Sequence, residues 1–265
     1  MPDLHHDPST AELYDLAFSW DLSEEIAWLK SRLGPERRHV VEPACGSGRL
    51  LLPLAEAGFR VAGYDGATTM LERAFDRFRA AGQPEPRLVR CDLASRPGRQ
   101  LGGPFDAALM PINTFAHLST EAEARRHLEI VAEVLKEGAP YLVQLDLDTL
   151  AGRQPREVGP NTGWNTATEH GTLRCEVFGR GYDAGTQLET TVMRFRFLDG
   201  EREGFEVECE EQHRIWDWVG WCSLLADSPF SQGHAFDGNS RERWPLPLSA
   251  DLEGRPLTWH ELRLS

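Results

Sequence analysis

The chain has 265 residues but no Cys-x-x-Cys pair, no long apolar run and no surplus of positive charge. Its five cysteines, Cys45, Cys91, Cys175, Cys209 and Cys222, are odd in number and scattered. That spacing argues for free thiols in a reducing, cytoplasmic compartment, and against a disulfide frame or a zinc site. No stretch is apolar for long enough to cross a bilayer, so no membrane partner is expected. The start, Met1-Pro2-Asp3-Leu4-His5-His6, has neither a basic head nor an apolar core, so no signal peptide is expected. The His5-His6 pair is too short for a metal tract and reads as a frayed end, leaving no expected metal ligand. With 42 acidic against 28 basic residues, the net charge of −14 should repel phosphate backbones, and no nucleic-acid partner is expected. The densest basic group, Arg73, Arg77 and Arg79, is interleaved with Glu72 and Asp76 and reads as a solvated helix face. Internal repeats and low-complexity tracts are also missing.

What is present divides into two halves with different periods. Residues 1–150 alternate short apolar runs with helical patterns: strands over His39–Ala44, Arg60–Tyr64, Arg87–Cys91, Phe105–Met110 and Tyr141–Leu147. Between them, Leu50-Leu51-Leu52 with Leu54 opens one helix, in which Pro53 is tolerable only near the first turn. Met70, Leu71, Ala74, Phe75 and Phe78 mark a second. Ala124, Leu128, Val131 and Leu135 mark a third, capped by Thr120 with Glu123 reaching back. Alternation of this kind predicts an α/β, doubly wound parallel sheet. From residue 151 the pattern changes. Ala151–Gly163 reads as a Gly/Pro-rich loop. Antiparallel strands are predicted over Leu173–Phe178, Gln187–Phe197 and Phe205–Ile215, so 151–215 forms a β insertion after the fifth strand. Residues 216–265, with a helix over Trp216–Ala226 and strands near His234–Phe236 and Leu257–Leu264, would return to the core sheet.

The chemistry lies where the predicted strands end. The run Glu42-Pro43-Ala44-Cys45-Gly46-Ser47-Gly48-Arg49 joins the first strand to the first helix. Ligands in open parallel sheets sit beyond the carboxyl ends of the strands, and glycines there admit a close backbone approach. A lone Gly-x-Gly is weak, since a tight strand-to-helix turn needs the same residues. Two details direct it. The third glycine of a dinucleotide fingerprint is replaced by Leu51, and Glu42 would repel a pyrophosphate while welcoming a cationic amino acid end. Asp65, closing the second strand, can accept two hydrogen bonds from a ribose diol. Asp92, after the third, can accept from an adenine amino group, with Leu93 beside it. Capping or turn chemistry is the plain alternative for each acid. Three acids at three successive strand ends favour ligand binding.

In these motifs the chain resembles the class I S-adenosylmethionine-dependent methyltransferases, over roughly Tyr14 to Leu147. The Glu-Pro-Ala-Cys-Gly-Ser-Gly-Arg run is similar to the family's first motif, Asp65 with Met70 to its ribose-binding stretch, and Cys91-Asp92-Leu93 to its adenine-binding stretch. Ala67-Thr68 departs from the commoner Ser-Pro. The resemblance implies a Rossmann-like sheet, S-adenosyl-L-methionine as cofactor, and cofactor contacts from Tyr14, Glu42, Ala44, Gly46, Gly48, Arg49, Asp65, Gly66, Met70, Cys91, Asp92, Leu93, Met110 and Asn113.

Methyl transfer from a sulfonium gains most from alignment of donor and acceptor, and a base is needed only when the nucleophile arrives protonated. The loop Pro111-Ile112-Asn113-Thr114-Phe115-Ala116-His117 should reach the active face, with Phe115 as a pocket wall and His117 as a candidate base. A histidine merely bonded near the next helix start is the plain alternative. The loop is neither Asn-Pro-Pro-Tyr nor Asp-Pro-Pro-Tyr, the signatures of many enzymes that methylate bases of nucleic acids. Tyr14–Asp21 looks like the leading helix and lid of small-molecule members, with Trp20 over the site, although simple aromatic packing would read the same. Six of eight tryptophans lie beyond residue 150; of these only Trp164 is a candidate substrate contact. The expectation is an enzyme methylating an oxygen or nitrogen of a small molecule. A protein or RNA methyltransferase and a non-catalytic cofactor-binding protein are the alternatives. A homodimer through the added sheet is left open.

Overall fold

In a computed structural model the described residues are 3–154 and 163–264. Two sheets organise them. The larger has seven strands: β1 His39–Pro43, β2 Arg60–Asp65, β3 Arg87–Arg90, β4 Ala107–Met110, β5 Pro140–Gln144, β10 Phe230–Phe236 and β11 Trp259–Leu264. Their spatial order is β10-β11-β5-β4-β1-β2-β3, with β1 to β5 parallel and β11 antiparallel to both its neighbours. The order reverses between β1 and β4, which places the switch point at the carboxyl end of β1.

The helices follow from the pattern of the chain. They are α1 Pro8–Ala17, α2 Ser23–Leu33, α3 Leu51–Glu56, α4 Thr68–Ala80, α5 Glu121–Val134 and α6 Trp218–Ala226. Because α3 begins at Leu51, Pro53 falls in its first turn, where no intrahelical donor is lost. The capping box of α5 forms as expected, with Thr120 and Glu123 bonded reciprocally. Its apolar stripe buries Ala124, Leu128 and Val131 against Phe105, Tyr141 and Val143 of the sheet. On the opposite face Leu29, Leu33, Leu50 and Leu54 pack against Val40, Leu109 and Leu142. The strands are thus covered on both sides, which is why they read as unbroken apolar runs.

The smaller sheet is antiparallel, β6 Gly163–Thr168, β7 Gly171–Asp183, β8 Leu188–Phe197 and β9 Glu206–Arg214 in consecutive order. It is inserted between β5 and α6. Strand β6 went unrecognised because Gly-Trp-Asn-Thr-Ala-Thr has little apolar alternation; pairing along its whole length with β7 makes it a strand. The expected loop Ala151–Gly163 falls largely on residues 155–162, outside the described residues. One face of this sheet supplies Leu173, Cys175, Met193, Phe195, Phe197 and Cys209 to a separate core, completed by Leu4, Leu13, Ala17 and Phe18 from the chain's opening segment and α1. The other face carries Arg180 and Arg194 laddered with Glu208, a solvated salt-bridge surface. No described helix is long and apolar enough to cross a membrane.

Candidate active site at the strand ends

At the switch point the backbone is forced into left-handed conformations. Ala44 (φ 51°), Gly46 (φ 52°) and Gly48 (φ 71°) all lie there, and Ala44 does so with a side chain. A Cβ on Gly46 would lie 3.3 Å from the Met70 Cε, and one on Gly48 would lie 3.3 Å from the Ala74 Cβ. Gly48 therefore serves helix packing against α4. A Cβ on Gly66 would approach the Asp92 Oδ1 to 2.9 Å, so glycine is what lets that carboxylate reach the cleft.

These turns border a cleft of ≈ 350 Å³ lined by Tyr14, Ala44, Gly46, Asp65, Gly66, Met70, Asp92, Leu93, His117 and also His5, Thr114 and Glu123. Nine residues singled out from the sequence thus meet in one place. Asp65 closes β2 and accepts from the Gly46 amide at 2.8 Å and from the Ala67 amide at 2.8 Å. The capping role and the ligand role coexist here, because a carboxylate has about four acceptor sites and two are taken.

Beneath the turn two polar atoms have no partner. Glu42 is 4% exposed, and its Oε2 makes no hydrogen bond; neither does the Nη1 of Arg49. Burial drives the Glu42 carboxyl far above the usual carboxylate range, only partly offset by the Arg49 charge. Tyr14 is pushed up by burial as well, again relieved in part by Arg49. Arg49 borders the neighbouring groove and its charge reaches both Glu42 and Tyr14; an unsatisfied acid and an unsatisfied guanidinium nitrogen at this turn fit the ammonium and carboxylate of an amino acid moiety. The donor set therefore suits an S-adenosylmethionine-type ligand, with Asp65 and Asp92 left for its nucleoside.

Other expected residues sit elsewhere. Phe115 is fully buried among His127, Trp216 and Trp221, so it is a core residue and not a pocket wall. Met110 is likewise buried, accepting from the Tyr141 hydroxyl at 3.3 Å. Cys91 faces the Ser95 carbonyl at 3.2 Å. Trp20 is 42% exposed and lies 5.1 Å from the Arg49 guanidinium, bordering a neighbouring groove. Trp164 donates to the Ala17 carbonyl at 2.7 Å and so ties the inserted sheet to α1. Asn113 uses its Oδ1 to accept from the Asp146 amide at 3.0 Å.

Sequence reasoning missed several parts. Asp15 on α1 gathers Ser47 of the glycine turn (2.5 Å), Arg73 (3.0 Å) and Arg77 from α4. Arg73 and Arg77 are thus a clasp holding α1 to α4, not a solvated face; Arg79 stays on the surface, paired with Asp76. An arginine i, i+4 pair is visible in sequence, but its distant partner is not. Gln144 bonds the Ile112 amide at 2.6 Å and holds Ile112 (φ 47°) and Asn113 (φ 58°) in consecutive left-handed conformations. A β-branched residue so placed is strained, and such strain concentrates at functional loops. His5 also departs from the frayed end expected of it. Its amide and that of His6 donate to the Asp3 carboxylate, Leu4 is 2% exposed in the second core, and the His5 ring packs edge-on 4.8 Å from Tyr14.

Residues 40–138 match the family model described as a methyltransferase domain. A glycine/sarcosine N-methyltransferase from Aphanothece halophytica is 32% identical over 143 residues, 52% of this chain and 53% of that protein. The glycine N-methyltransferase of Oryctolagus cuniculus is 28% identical over 54% of each chain. The chain thus spans about half the length of these curated relatives. Among solved structures, an S-adenosylmethionine-dependent methyltransferase from Clostridium acetobutylicum ATCC 824 superposes with a TM-score of 0.73 at 16% identity, over 97% of this chain and 98% of that one. An S-adenosylmethionine-bound amino pentose methyltransferase from Micromonospora echinaspora gives 0.71 at 16% identity over 100% of both chains. The second of these likenesses extends the shared fold through the inserted sheet. The matched methyltransferase domain spans the glycine turn, Asp65 and Asp92, and the chain has the fold of the solved S-adenosylmethionine-dependent methyltransferases.

Proposed function

We propose that this protein transfers a methyl group from S-adenosyl-L-methionine to a nitrogen or oxygen of a small molecule. The observation that carries the reading is that Asp65 and Asp92 line one cleft at successive strand ends, with the unsatisfied Glu42 buried at the end of β1, next to the turn that borders it. The cofactor, when bound, supplies an electrophilic methyl on a sulfonium. Glu42 would take its ammonium, and Arg49 with Tyr14 its carboxylate. Asp65 would take the ribose diol, Asp92 and Leu93 the adenine. Met70 fills the space below Gly46 and leaves the backbone to approach the ligand.

A small acceptor is supported by enclosure. The opening segment and α1 border one side of the cleft, and His5 there is tied to Glu211 of β9 at 3.2 Å. A macromolecular acceptor would need a broad, open face. The inserted sheet thus acts as a cover, taken here as residues 151–215 between a cofactor-binding unit over 1–150 and a return over 216–265. The first relatives act, by name, on glycine and sarcosine, and a solved neighbour on an amino sugar, which makes amines the first acceptors to try.

The test incubates the full chain with methyl-labelled S-adenosylmethionine and a panel of amines, amino acids, amino sugars, phenols and carboxylates. Transfer to a low-molecular-weight acceptor is expected. Tight cofactor binding with transfer to none would favour a non-catalytic binding protein, and transfer only to protein or RNA would overturn the small-molecule reading.

A further inference from the structure

On the acceptor side of the cleft stands a group that methyl transfer by itself does not require. His5, His117 and Glu211 come from three separate parts of the chain: the opening turn, the 3-10 turn after β4, and β9 of the inserted sheet. One ligating atom from each lies within 4.8 Å of the others. His5 Nε2 and Glu211 Oε1 are 3.2 Å apart, already the separation of neighbouring ligands around a small ion. With metal–nitrogen bonds of about 2.0–2.1 Å, tetrahedral ligands sit about 3.3 Å apart, so side-chain rotation alone would complete the set.

The surroundings resemble those of a built site. The residue two positions along β9, His213, shares a strand face with Glu211, as the period of two requires. Its Nδ1 is held by Thr191 Oγ1 at 3.0 Å, which fixes the ring, while its buried Nε2 has no partner and lies 3.7 Å from Glu211 Oε2. The His117 and His213 rings meet edge-on at 4.5 Å. Opening-segment contacts also make His5 preorganised: Thr10 Oγ1 donates to the Asp3 carbonyl at 2.6 Å, and Thr69 Oγ1 to the His6 carbonyl at 3.0 Å.

We propose that His5, His117 and Glu211 form a binding site for a divalent transition-metal ion whose open coordination positions face the acceptor end of the cleft. Two imidazoles and one carboxylate on one side, with the rest open, is a donor set that suits zinc, cobalt or non-haem iron rather than magnesium or calcium. An ion there would hold an oxygen donor of the acceptor, lower the pKa of a bound hydroxyl and so replace His117 as the means of exposing a nucleophile. It would also weld the lid segment to the inserted sheet. The role in acceptor binding rests on the methyltransferase reading; ion binding does not.

The experiment titrates the full chain, without cofactor, with cobalt(II) chloride in a non-coordinating buffer containing a thiol blocker, followed by visible absorption and calorimetry. One ion per chain is expected, with d–d bands and no thiolate charge-transfer band. Glu211→Gln and His5→Asn should each weaken it at least tenfold. S-adenosylhomocysteine binding, measured separately, should be unchanged in Glu211→Gln, showing that the fold and cofactor site persist. Equal cobalt affinity in wild type and Glu211→Gln, or no saturable binding to a wild type that still binds S-adenosylhomocysteine, overturns the site. Failure to bind S-adenosylhomocysteine at all would instead overturn the methyltransferase reading.

Discussion

The seven-stranded sheet and the four-stranded sheet solve the same burial problem in opposite ways. The first is sandwiched between helices and buries both faces, so residues such as Val41, Ala108 and Val143 are fully enclosed. The second buries one face only, against α1, and leaves the other to an arginine–glutamate ladder. The cleft opens at the strand ends of the larger sheet, bordered by the opening segment and α1. One side of it is built on the strand ends of the larger sheet, and the other on the opening segment and on α1, the ten-residue helix that packs on the smaller core.

The comparison can be broken most directly in the smaller core. Phe195→Ala removes a fully buried ring from β8 and should cost about 3–5 kcal/mol locally. Hydrogen exchange should then quicken over α1 and β6–β9 while β1, β2 and β4 stay protected; uniform loss of protection would mean that the two cores unfold as one. Next in size, Asp65→Ala should cost about 1.5–3 kcal/mol of S-adenosylhomocysteine affinity, the scale of charged hydrogen bonds. Because Asp65 also holds Gly46 and Ala67, its melting temperature should fall too. Asp92→Ala should lose affinity with little change in melting, and calorimetry beside thermal scans would separate them.

Asp15→Ala tests the clasp between the halves. Its arginine partners are 27–31% exposed on their side chains, so water recovers part of the loss, and about 1–2 kcal/mol is expected. The effect should appear as faster exchange in α1 and faster release of bound S-adenosylhomocysteine. An unchanged release rate would remove the clasp from lid control. The smallest change in stability is expected for Glu42→Gln, and its sign is informative. Burial raises the Glu42 pKa in the fold, so the folded state keeps a proton that the unfolded chain gives up. Glu42 therefore lowers stability as pH rises from the unfolded carboxyl value towards the folded one. Gln should be slightly more stable at pH 7–8 and yet bind the cofactor more weakly. Wild-type affinity should rise with pH across that window, since an ammonium partner favours the ionised form, and this dependence should vanish in the variant. Identical pH profiles would mean that Glu42 does not meet the cofactor.

Much of the larger sheet was legible because buried parallel strands leave apolar runs, and helices leave stripes and caps, within a few residues of sequence. Glu42, Asp65 and Asp92 could be located for the same reason: each stands at the end of such a run. The glycine turn was the weaker witness, since Gly48 turns out to serve packing against Ala74. Phe115 read as a wall because its loop reaches the active face, but its ring points back into the core, a choice of rotamer that spacing does not record. Strand β6 lacked apolar alternation and exists through its partner β7.

By itself, then, the sequence determined the α/β architecture, the antiparallel insertion and the acids at the strand ends, because each depends on local periodicity and chain order. Only the tertiary structure decided that Asp15 reaches Arg73, 58 residues away, and Ser47, 32 residues away. It also decided that His5, His117 and Glu211 bring ligating atoms within 4.8 Å of one another. Those partnerships are made by packing one sheet against another through α1. Contacts across such distances leave no period in the chain.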